Sequence, residues 1–404
     1  MATIRVKSIG PIVDTGVIEL KTVNLFIGKQ STGKSTLLKI CSHCRWVEKQ
    51  LSIGKRKNGL YLYTHYYRFI QELIKFYRFD AKFFSAGSEI SYVGDTYRIE
   101  FKGNAKSNAR IELIEGAAPY NARLCFIPSE RNLISAIKDI ESWYRPKDFD
   151  QLFNFIFEWD EVRQGYGRSN PLPLVVTPEM EFFYDKAKGE QIRLTDGQKE
   201  FSPFYASSGV QSALPLEVMI NALTGAVGTK ANLSKSDLMD IVNSLFGDAP
   251  DIGSVVAESH VSKNLLTYMG AVFFIEEIEQ NLFPEAQANL LRYVVSAIKT
   301  ANDKYEGRHS MVSITTHSPY ILTALNVLMA AAEAYEIDPV ATTEIVPEKY
   351  ILPKGSIAAY YLTPEGTAKD IIDSELYMVS GTNLDTVSYA VETDLDRLND
   401  IICK

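Results

Sequence analysis

The hydrophobic residues of the chain follow two patterns, and each pattern predicts its own kind of sheet. Short apolar runs without polar alternation predict strands that are buried on both faces, at residues 24–27, 124–127, 271–275 and 311–316. Alternation of apolar and polar residues instead predicts antiparallel strands with one solvated face. It occurs at residues 3–27, with a turn near Gly10-Pro11, and at residues 89–115.

Helical patterns fill most of the space between these strands. We predict helices at residues 34–49, 60–79, over most of 133–164, from 212 to 223, after Pro284 and over 320–335. Glycines and prolines predict a loop at residues 165–180, and short strands are expected at residues 182–184, 191–194 and 357–362. Mixed, polar residues near 224–264 indicate a surface insertion.

The composition is that of a folded protein in a reducing compartment. The chain has 404 residues, of which 46% are hydrophobic and 23% are charged. No run approaches the ~20 apolar residues of a membrane span, and the N-terminus has no signal-peptide run. We therefore expect a cytoplasmic protein with no membrane partner. The cysteines are expected to be thiols, and the pair Cys41 and Cys44 is interpreted as helix packing because no second ligand pair lies near.

Charge is distributed unevenly along the chain. The formal net charge of −8 argues against nucleic-acid binding by the surface as a whole. Residues 45–82 are the exception, with nine basic residues against three acidic ones and many aromatic residues. That composition is typical of a segment that grips phosphates and stacks bases. The alternative is a solvated basic face over an aromatic core stripe.

One motif predicts a phosphate-binding loop. Gly28 and the pair Gly33-Lys34 enclose four residues between a predicted buried strand and a predicted helix. Glycines let backbone N–H groups close around phosphate oxygens, and the helix directs its positive end at the same anion. The predicted ATP-binding residues are Gly28, Lys29, Gln30, Ser31, Thr32, Gly33, Lys34, Ser35 and Thr36, with Lys34 reaching the outer phosphates and Ser35 holding Mg²⁺.

Two later strands end in candidate catalytic residues. The run 271–275 is followed by Glu276, which is expected beside the loop strand as a Mg²⁺ ligand, and by Glu277, which is expected to orient the attacking water. His317 follows the run 311–316, where a side chain can contact the last phosphate of ATP. The alternatives are a solvated acidic strand end and a structural histidine.

These motifs, together with Ser208-Gly209-Val210-Gln211, stand in the order Walker A, signature, Walker B and H-loop. The chain therefore resembles the ABC-type ATPases of the RecF, SMC and OLD-like branch. The resemblance implies an α/β head with a RecA-like core sheet, an antiparallel β subdomain and a helical signature subdomain. It also implies that two heads enclose two ATP molecules with Mg²⁺. The signature residues Ser207, Ser208, Gly209 and Gln211 would then act on the partner's ATP.

Several positions depart from the family pattern. The Walker B acid is Glu276, where Asp is commoner, and the signature has Val210 where a second glycine is usual. Residues 279–282 would be the D-loop at the dimer interface. The region 129–131 is assigned to the Q-loop, although it contains no glutamine.

The resemblance also suggests a division of the chain. We expect an ATPase head over residues 1–335, composed of an N-terminal lobe at 1–130, a helical and signature lobe at 131–265 and a core at 266–335. A C-terminal extension is expected over residues 336–404.

Spacing limits the role of this ATPase. The 172-residue separation of Ser35 and Ser207 contains prolines and no sustained heptads, which excludes a long coiled coil. Only 87 residues follow His317, too few for the TOPRIM nuclease domain of OLD proteins. We therefore expect a stand-alone switch that controls a separate effector protein, as ATPases of anti-phage systems of the PARIS type do. The alternative is a RecF-like DNA clamp with Lys55, Arg56 and Lys57 as candidate DNA contacts. A small-molecule kinase would leave the signature and His317 unexplained.

Overall fold

A six-stranded sheet forms the centre of the protein. The computed structural model describes residues 2–53, 59–138, 140–144, 149–197, 199–231, 265–304, 310–373 and 375–379. Elements are numbered in chain order, and the central strands in spatial order are β8 (Asn121–Ile127), β13 (Tyr268–Ile275), β14 (Met311–Thr316), β4 (Val23–Ile27), β15 (Ile357–Leu362) and β16 (Ala368–Asp370). The first five are parallel and β16 is antiparallel. The carboxyl ends of the parallel strands therefore meet at one edge.

The central strands are buried on both faces, which explains their continuous apolar sequences. In β13, Phe273 and Ile275 pack into one hydrophobic core, whereas Val272 and Phe274 pack into a second core on the opposite face. All four side chains are nearly or completely inaccessible to solvent. The sheet thus separates two cores, and each core has its own covering layer.

An antiparallel sheet and one long helix cover the first face. The helix is α1 (Lys34–Ser52), with the shorter α2 (Gly59–Thr64) and α3 (Arg68–Phe76) nearby. The sheet runs in the order β2 (Ile12–Asp14), β1 (Ala2–Ile9), β5 (Phe84–Val93), β6 (Tyr97–Lys102) and β7 (Ala109–Leu113), and β3 (Ile18–Leu20) pairs with β1. This layer is the antiparallel subdomain that the sequence predicts.

Helices cover the second face. They are α4 (Leu133–Ala136), α5 (Ile140–Trp143), α6 (Gln151–Arg163), α7 (Ser208–Gly225), α8 (Pro284–Asp303), α9 (Pro319–Ile337) and α10 (Pro339–Ile345). A small sheet of β9 (Leu172–Pro173), β10 (Met180–Asp185), β11 (Gly189–Leu194) and β12 (Glu200–Phe201) accompanies them, and β17 (Ile372–Asp373) pairs with β18 (Met378–Val379). Together with the core sheet, these layers confirm the predicted α/β fold class.

Helix α9 is the one described helix whose length and composition would suit a membrane span, although the sequence predicts none. Of the 18-residue window of α9 that has the highest mean hydropathy, 44% is buried inside the protein. Ile321, Leu325 and Met329 lie completely buried in the second core. These contacts are those of a helix that packs within a protein core.

The predicted helix at residues 60–79 is wrong in one respect, because the chain breaks it in two. Tyr66 and Tyr67 both adopt left-handed backbone angles, with φ of 57°. The Tyr67 N–H donates to the side-chain oxygen of Asn108 at 2.8 Å, which replaces a helical hydrogen bond. The break separates α2 from α3 and places these tyrosines at the surface.

The prediction that Glu276 lies next to β4, the strand that precedes the phosphate loop, is also wrong. Strand β14 lies between β4 and β13, so Glu276 is one strand further away than the sequence suggests. The other neighbour of β4 is β15, from the segment predicted as a C-terminal extension. The loop strand is therefore enclosed by strands that begin 288 and 334 residues after it, at Met311 and Ile357.

Glu48 anchors α1 to the antiparallel sheet. Its carboxylate accepts hydrogen bonds from the Tyr92 hydroxyl at 2.6 Å, from the Thr96 N–H at 2.6 Å and from the Arg45 guanidinium at 3.1 Å. The residue is only 4% exposed. This contact therefore ties the helix that begins at the predicted phosphate loop to the antiparallel sheet.

We expect Glu48→Ala to lower the free energy of unfolding by about 3 kcal/mol, because it leaves a buried guanidinium without this partner. Urea denaturation would measure the loss. Glu112→Ala is the matched control, since Glu112 pairs with Arg110 on the exposed face and such pairs contribute less than about 1 kcal/mol. Equal losses in the two variants would contradict the anchoring role.

Candidate functional site

The predicted phosphate loop lies between β4 and α1, and two of its glycines are required by their surroundings. A Cβ on Gly28 would overlap with the carbonyl oxygen of Leu362 in β15. Gly33 precedes the first residue of α1 with φ of 99°, a left-handed conformation, and a Cβ there would lie 2.7 Å from Ile12. The loop can take this shape only with glycine at both positions.

Lys34 points its ammonium group into the loop. Its Nζ donates to the carbonyl oxygens of Gly28 at 2.9 Å and of Lys29 at 2.7 Å. Burial lowers the pKa of Lys34 to about 8, while Glu277 and Glu279 act in the opposite direction. A buried cation that is held only by carbonyl oxygens is a favourable partner for an incoming anion.

The remaining loop residues divide between the cleft and its surroundings. A cleft of about 950 Å³ opens beside the loop and is lined by Gln30, Ser31 and the run from Gly33 to Thr36. Thr32 is buried and its hydroxyl donates to the Lys29 carbonyl at 2.9 Å, which closes the turn. The Lys29 side chain itself is exposed.

Glu276 lies at the end of β13 and is 3% exposed. Its carboxylate hydrogen-bonds to the Ser35 hydroxyl, lies 3.6 Å from Lys39 Nζ and accepts from the Ser129 N–H at 3.4 Å. Burial raises the pKa of Glu276, and Lys39 and Ser35 oppose that rise. The Ser35 hydroxyl and the Glu276 carboxylate form an adjacent pair of hard oxygen donors of the kind that Mg²⁺ uses together with phosphates.

Glu277 occupies a strained turn directly after Glu276. Its φ is +46°, a left-handed value that is uncommon for residues other than glycine. The N–H donates to the Thr315 hydroxyl at 3.1 Å, and the carbonyl accepts from Arg131 at 2.8 Å. The side chain is 41% exposed and its Oε1 lies 3.9 Å from His317 Nε2. Hydrogen bonds thus hold the N–H and the carbonyl of Glu277 in place, while its carboxylate stays open to water.

His317 is held in position through its own backbone. Its N–H donates to Glu279 Oε1 at 2.6 Å, and the Thr316 hydroxyl donates to Glu279 Oε2 at 2.8 Å. Burial and the nearby Lys34 lower the pKa of His317, so the imidazole is neutral at pH 7. Glu277, Thr315 and His317 all line the same cleft as the phosphate loop.

The predicted signature residues lie elsewhere. Ser207 caps α7 by accepting from the Val210 N–H at 3.5 Å, and both Ser207 and Ser208 are exposed. Gly209 faces the carbonyl of Asn281, which a Cβ would approach to 3.1 Å. Gln211 donates from its side chain to backbone carbonyls of the preceding turn. None of these signature residues lines the described cleft beside the phosphate loop.

Two contacts in the site escaped the sequence analysis. Glu279, expected only as a D-loop residue, ties the turn after β13 to the turn after β14. Arg131, a weak Q-loop assignment, is completely buried and donates to backbone carbonyls on both sides of the site. The sequence gives one sign for Arg131, a charged residue three positions after the proline that ends a buried strand, because its hydrogen-bond partners are backbone atoms.

The basic segment 45–82 is less available than its composition indicates. Lys55, Arg56 and Lys57 lie outside the described residues. Among the others, Arg45 pairs with Glu48 and Asp95, and two more ion pairs join Arg68 to Glu72 and Arg78 to Asp150. The segment's aromatic residues divide as well, since Tyr63, Phe69 and Tyr77 are buried while Tyr61, Tyr66 and Tyr67 are exposed.

Cys41 and Cys44 lie completely buried in α1 among the residues of the first core. Burial raises the pKa of the Cys41 thiol to about 12. These positions agree with the interpretation of both residues as helix packing. Cys403 lies outside the described residues.

Comparison with known proteins adds one strong match. A family profile described as "AAA domain, putative AbiEii toxin, Type IV TA system" matches residues 23–323, which include every motif discussed above. No curated protein matches the chain.

Several solved structures resemble the chain distantly. The SMC head domain from Thermotoga maritima is 11% identical, with a TM-score of 0.35 over 80% of this chain and 90% of that chain. The SmcHead bound to the C-winged helix domain of ScpA is 11% identical, with a TM-score of 0.36 over 91% and 96%. The recombination mediator RecF-ATPrS in the RecFOR pathway is 11% identical, with a TM-score of 0.32 over 91% and 97%. Likenesses this distant carry no argument about activity.

The pKa of Lys34 leads to a prediction about ATP binding. Below pH 8 the ammonium is already charged, whereas above pH 8 a proton must be taken up when the phosphates bind. The affinity for ATP should therefore fall as the pH rises through about 8, by up to about tenfold per pH unit.

Titration calorimetry between pH 7 and 9.5, in buffers of different ionisation enthalpy, would measure both the affinity and the proton uptake. Lys102→Met, which alters an exposed lysine in another sheet, should leave the profile unchanged. A flat profile in the unaltered protein would show that Lys34 keeps its proton in the empty loop.

Proposed function

The chain belongs to the AAA-domain family of the AbiEii type, and on that premise we propose that it is an ATPase whose two copies enclose ATP and control a separate effector protein. The predicted ABC-type P-loop ATPase is confirmed at the level of the family. The hydrolysis, the dimer and the effector belong to the proposal.

One observation carries the proposal. The ammonium of Lys34, the hydroxyl of Ser35, the carboxylate of Glu277 and the imidazole of His317 all face a single cleft of about 950 Å³. They come from three different strand ends, which only the parallel sheet brings together. A cation, a metal-binding hydroxyl, a water-orienting acid and a neutral imidazole in one cleft suit phosphoryl transfer to water.

The cleft is lined by both polar and apolar residues, which suggests how ATP lies in it. The phosphates would bind at the loop, where backbone N–H groups and the start of α1 face the anion. The apolar lining residues are Pro11 of the β1–β2 turn, Ile12 and Val13 of β2, and Phe83. These side chains suit the flat apolar faces of a nucleobase, and Phe83 is 38% exposed and available for stacking.

Hydrolysis would depend on positioning. Glu277 would accept a hydrogen bond from the attacking water and orient it, because its carboxylate is open to solvent while its backbone is fixed. The neutral His317 would contact the outermost phosphate from the next strand end. Ser35 and Glu276 would hold Mg²⁺, which supplies charge neutralisation to the phosphates when bound. Lys34 would stabilise the negative charge that develops on the phosphate oxygens.

The signature residues explain why two copies are needed. Ser208 is exposed at the N-terminus of α7, where it can meet an anion but lies outside its own cleft. A second copy that faces the first would place these residues on the other head's ATP. Phe283, which follows the D-loop, is 76% exposed, as expected of a residue that a partner covers.

The switch would act in the cytoplasm as part of a bacterial anti-phage system. The family description names a toxin and a type IV toxin–antitoxin system, which supports a setting in which this ATPase works with a second protein. ATP binding would close the dimer, hydrolysis would open it, and the effector would respond to the difference. In this proposal residues 1–335 form the head and residues 336–404 an extension that also contributes a strand to the head.

A DNA clamp of the RecF type is the second candidate, and one observation favours it. Tyr61, Tyr66 and Tyr67 are 49%, 70% and 42% exposed, beside the basic residues 55–57 of the sequence. The Tyr61 ring stacks on His65 with centroids 4.0 Å apart, which extends the flat surface. Exposed aromatic rings next to basic residues can bind single-stranded nucleic acid.

The dimer model predicts the outcome of removing the water-orienting acid. Glu277→Gln should lose hydrolysis by at least about 100-fold while it retains ATP, and native mass spectrometry should detect an ATP-dependent dimer. Adding Ser208→Arg to this variant places a bulky cation at the exposed signature and should abolish the dimer while ATP binding remains. A monomer that still hydrolyses ATP would contradict the model.

The clamp model predicts salt-dependent DNA binding. Replacing Lys55, Arg56 and Lys57 by alanine should weaken binding and reduce the slope of log K against log salt by about 2 to 3. Tyr61→Ala with Tyr66→Ala should weaken binding to single strands more than to duplexes. Fluorescence anisotropy at several salt concentrations would measure both effects. Lack of DNA binding at low salt would exclude the clamp.

A further inference from the structure

The guanidinium of Arg131 joins two functional segments that are far apart in the sequence. Its Nε donates to the carbonyl of Ser212 in α7 at 3.0 Å. Its two terminal nitrogens donate to the carbonyls of Glu276 at 2.7 Å and Glu277 at 2.8 Å. One planar group thus connects the helix that carries the signature to the turn that carries the Walker B acids.

The environment of Arg131 makes this connection stiff. The residue is completely buried, and its described hydrogen-bond partners are all backbone carbonyls. A guanidinium presents its donors in a fixed plane, so a displacement of one acceptor moves the plane relative to the others. Breaking any of these bonds would leave a buried charge with fewer partners, which is costly. The segments should therefore move together.

The structure of α7 around Ser212 allows a displacement of its N-terminal end to reach Arg131. Pro215 lies inside α7 and has no N–H, so the carbonyl of Gln211 loses its donor four residues later. The hydrogen-bond ladder is interrupted at the turn whose next carbonyl, that of Ser212, accepts from Arg131. The Ser212 hydroxyl also accepts from the side chain of Asn281 at 2.9 Å. The N-terminal part of α7 is therefore attached at Ser212 to the turn after β13 through two separate contacts.

We propose that Arg131 is a positioning residue that couples the signature end of α7 to the Glu276–Glu277 turn, and thereby links the two nucleotide sites of a dimer. This inference rests on the proposed two-headed ATPase. Partner ATP that binds at Ser208 shifts the start of α7, and Arg131 passes the shift to the backbone of Glu277. The acid then orients water at its own head's ATP only when the other head is also loaded.

Cooperativity is the readout that a merely structural role would not change. In the unaltered protein the hydrolysis rate should depend on ATP concentration with a Hill coefficient well above 1, approaching 2. Arg131→Lys keeps the charge but loses the planar fork. We expect its kcat to fall at least tenfold, its half-saturating ATP concentration to stay within threefold and its Hill coefficient to fall to about 1.

Matched variants separate coupling from folding. Arg45→Lys changes another buried arginine, which is paired with Glu48 and Asp95 in the other core. It should lower the melting temperature and leave the Hill coefficient unchanged. If Arg131→Lys fails to fold, Arg131→Gln, which buries no charge, carries the same test. Arg131→Lys combined with Glu277→Gln should still form the ATP-dependent dimer, because the loop and the signature are intact.

Two results would overturn the inference, and only the first would also refute the proposed function. If Glu277→Gln forms no dimer with ATP, the two-headed ATPase is refuted and the coupling with it. If dimers and cooperative hydrolysis are present in the unaltered protein, while Arg131→Lys keeps the same kcat and Hill coefficient, the coupling alone is refuted.

Discussion

The parallel pairing of the central strands is the constraint on which the site depends. Parallel strands end at the same edge of a sheet, so β4, β13 and β14 deliver the phosphate loop, the two glutamates and His317 to one place. The two hydrophobic cores on either side of the sheet hold that edge rigid, and the tightly packed Gly28 and Gly33 leave the loop a single shape.

Backbone carbonyl oxygens hold the two buried cations of the site, Lys34 and Arg131. Lys34 is held by two carbonyl oxygens and Arg131 by four, and burial lowers the pKa of Lys34 to about 8 and that of Arg131 to about 10. Carbonyl dipoles keep these cations in place while leaving the acids free. The carboxylate of Glu277 is therefore available to a water molecule and that of Glu276 to a cation, because Arg131 donates to the backbone carbonyls of these residues and not to their carboxylates. Glu276 lies 3.6 Å from Lys39 Nζ and also accepts from the Ser129 N–H.

Much of this arrangement can be predicted from the sequence, and the failures have identifiable causes. The apolar runs around 271–275 and 311–316 predict the core strands correctly because burial on both faces leaves no polar positions. Strand order cannot be read in the same way, which is why β14 was not expected between β4 and β13. The break at Tyr66 and Tyr67 depends on Asn108, a partner 41 residues away. Arg131 resists prediction because backbone carbonyls leave no trace in a sequence.

The position of β4 between β14 and β15 has a consequence for biosynthesis. The phosphate loop is synthesised well before the neighbours of its strand, because β14 and β15 begin 288 and 334 residues after β4 begins. The carbonyl of Leu362 that lies against Gly28 is synthesised still later than Glu276 and Glu277. A nascent or truncated chain thus carries the whole motif without the fold that makes it work. The loop therefore takes its described shape only after β15 has been synthesised, long after the loop itself.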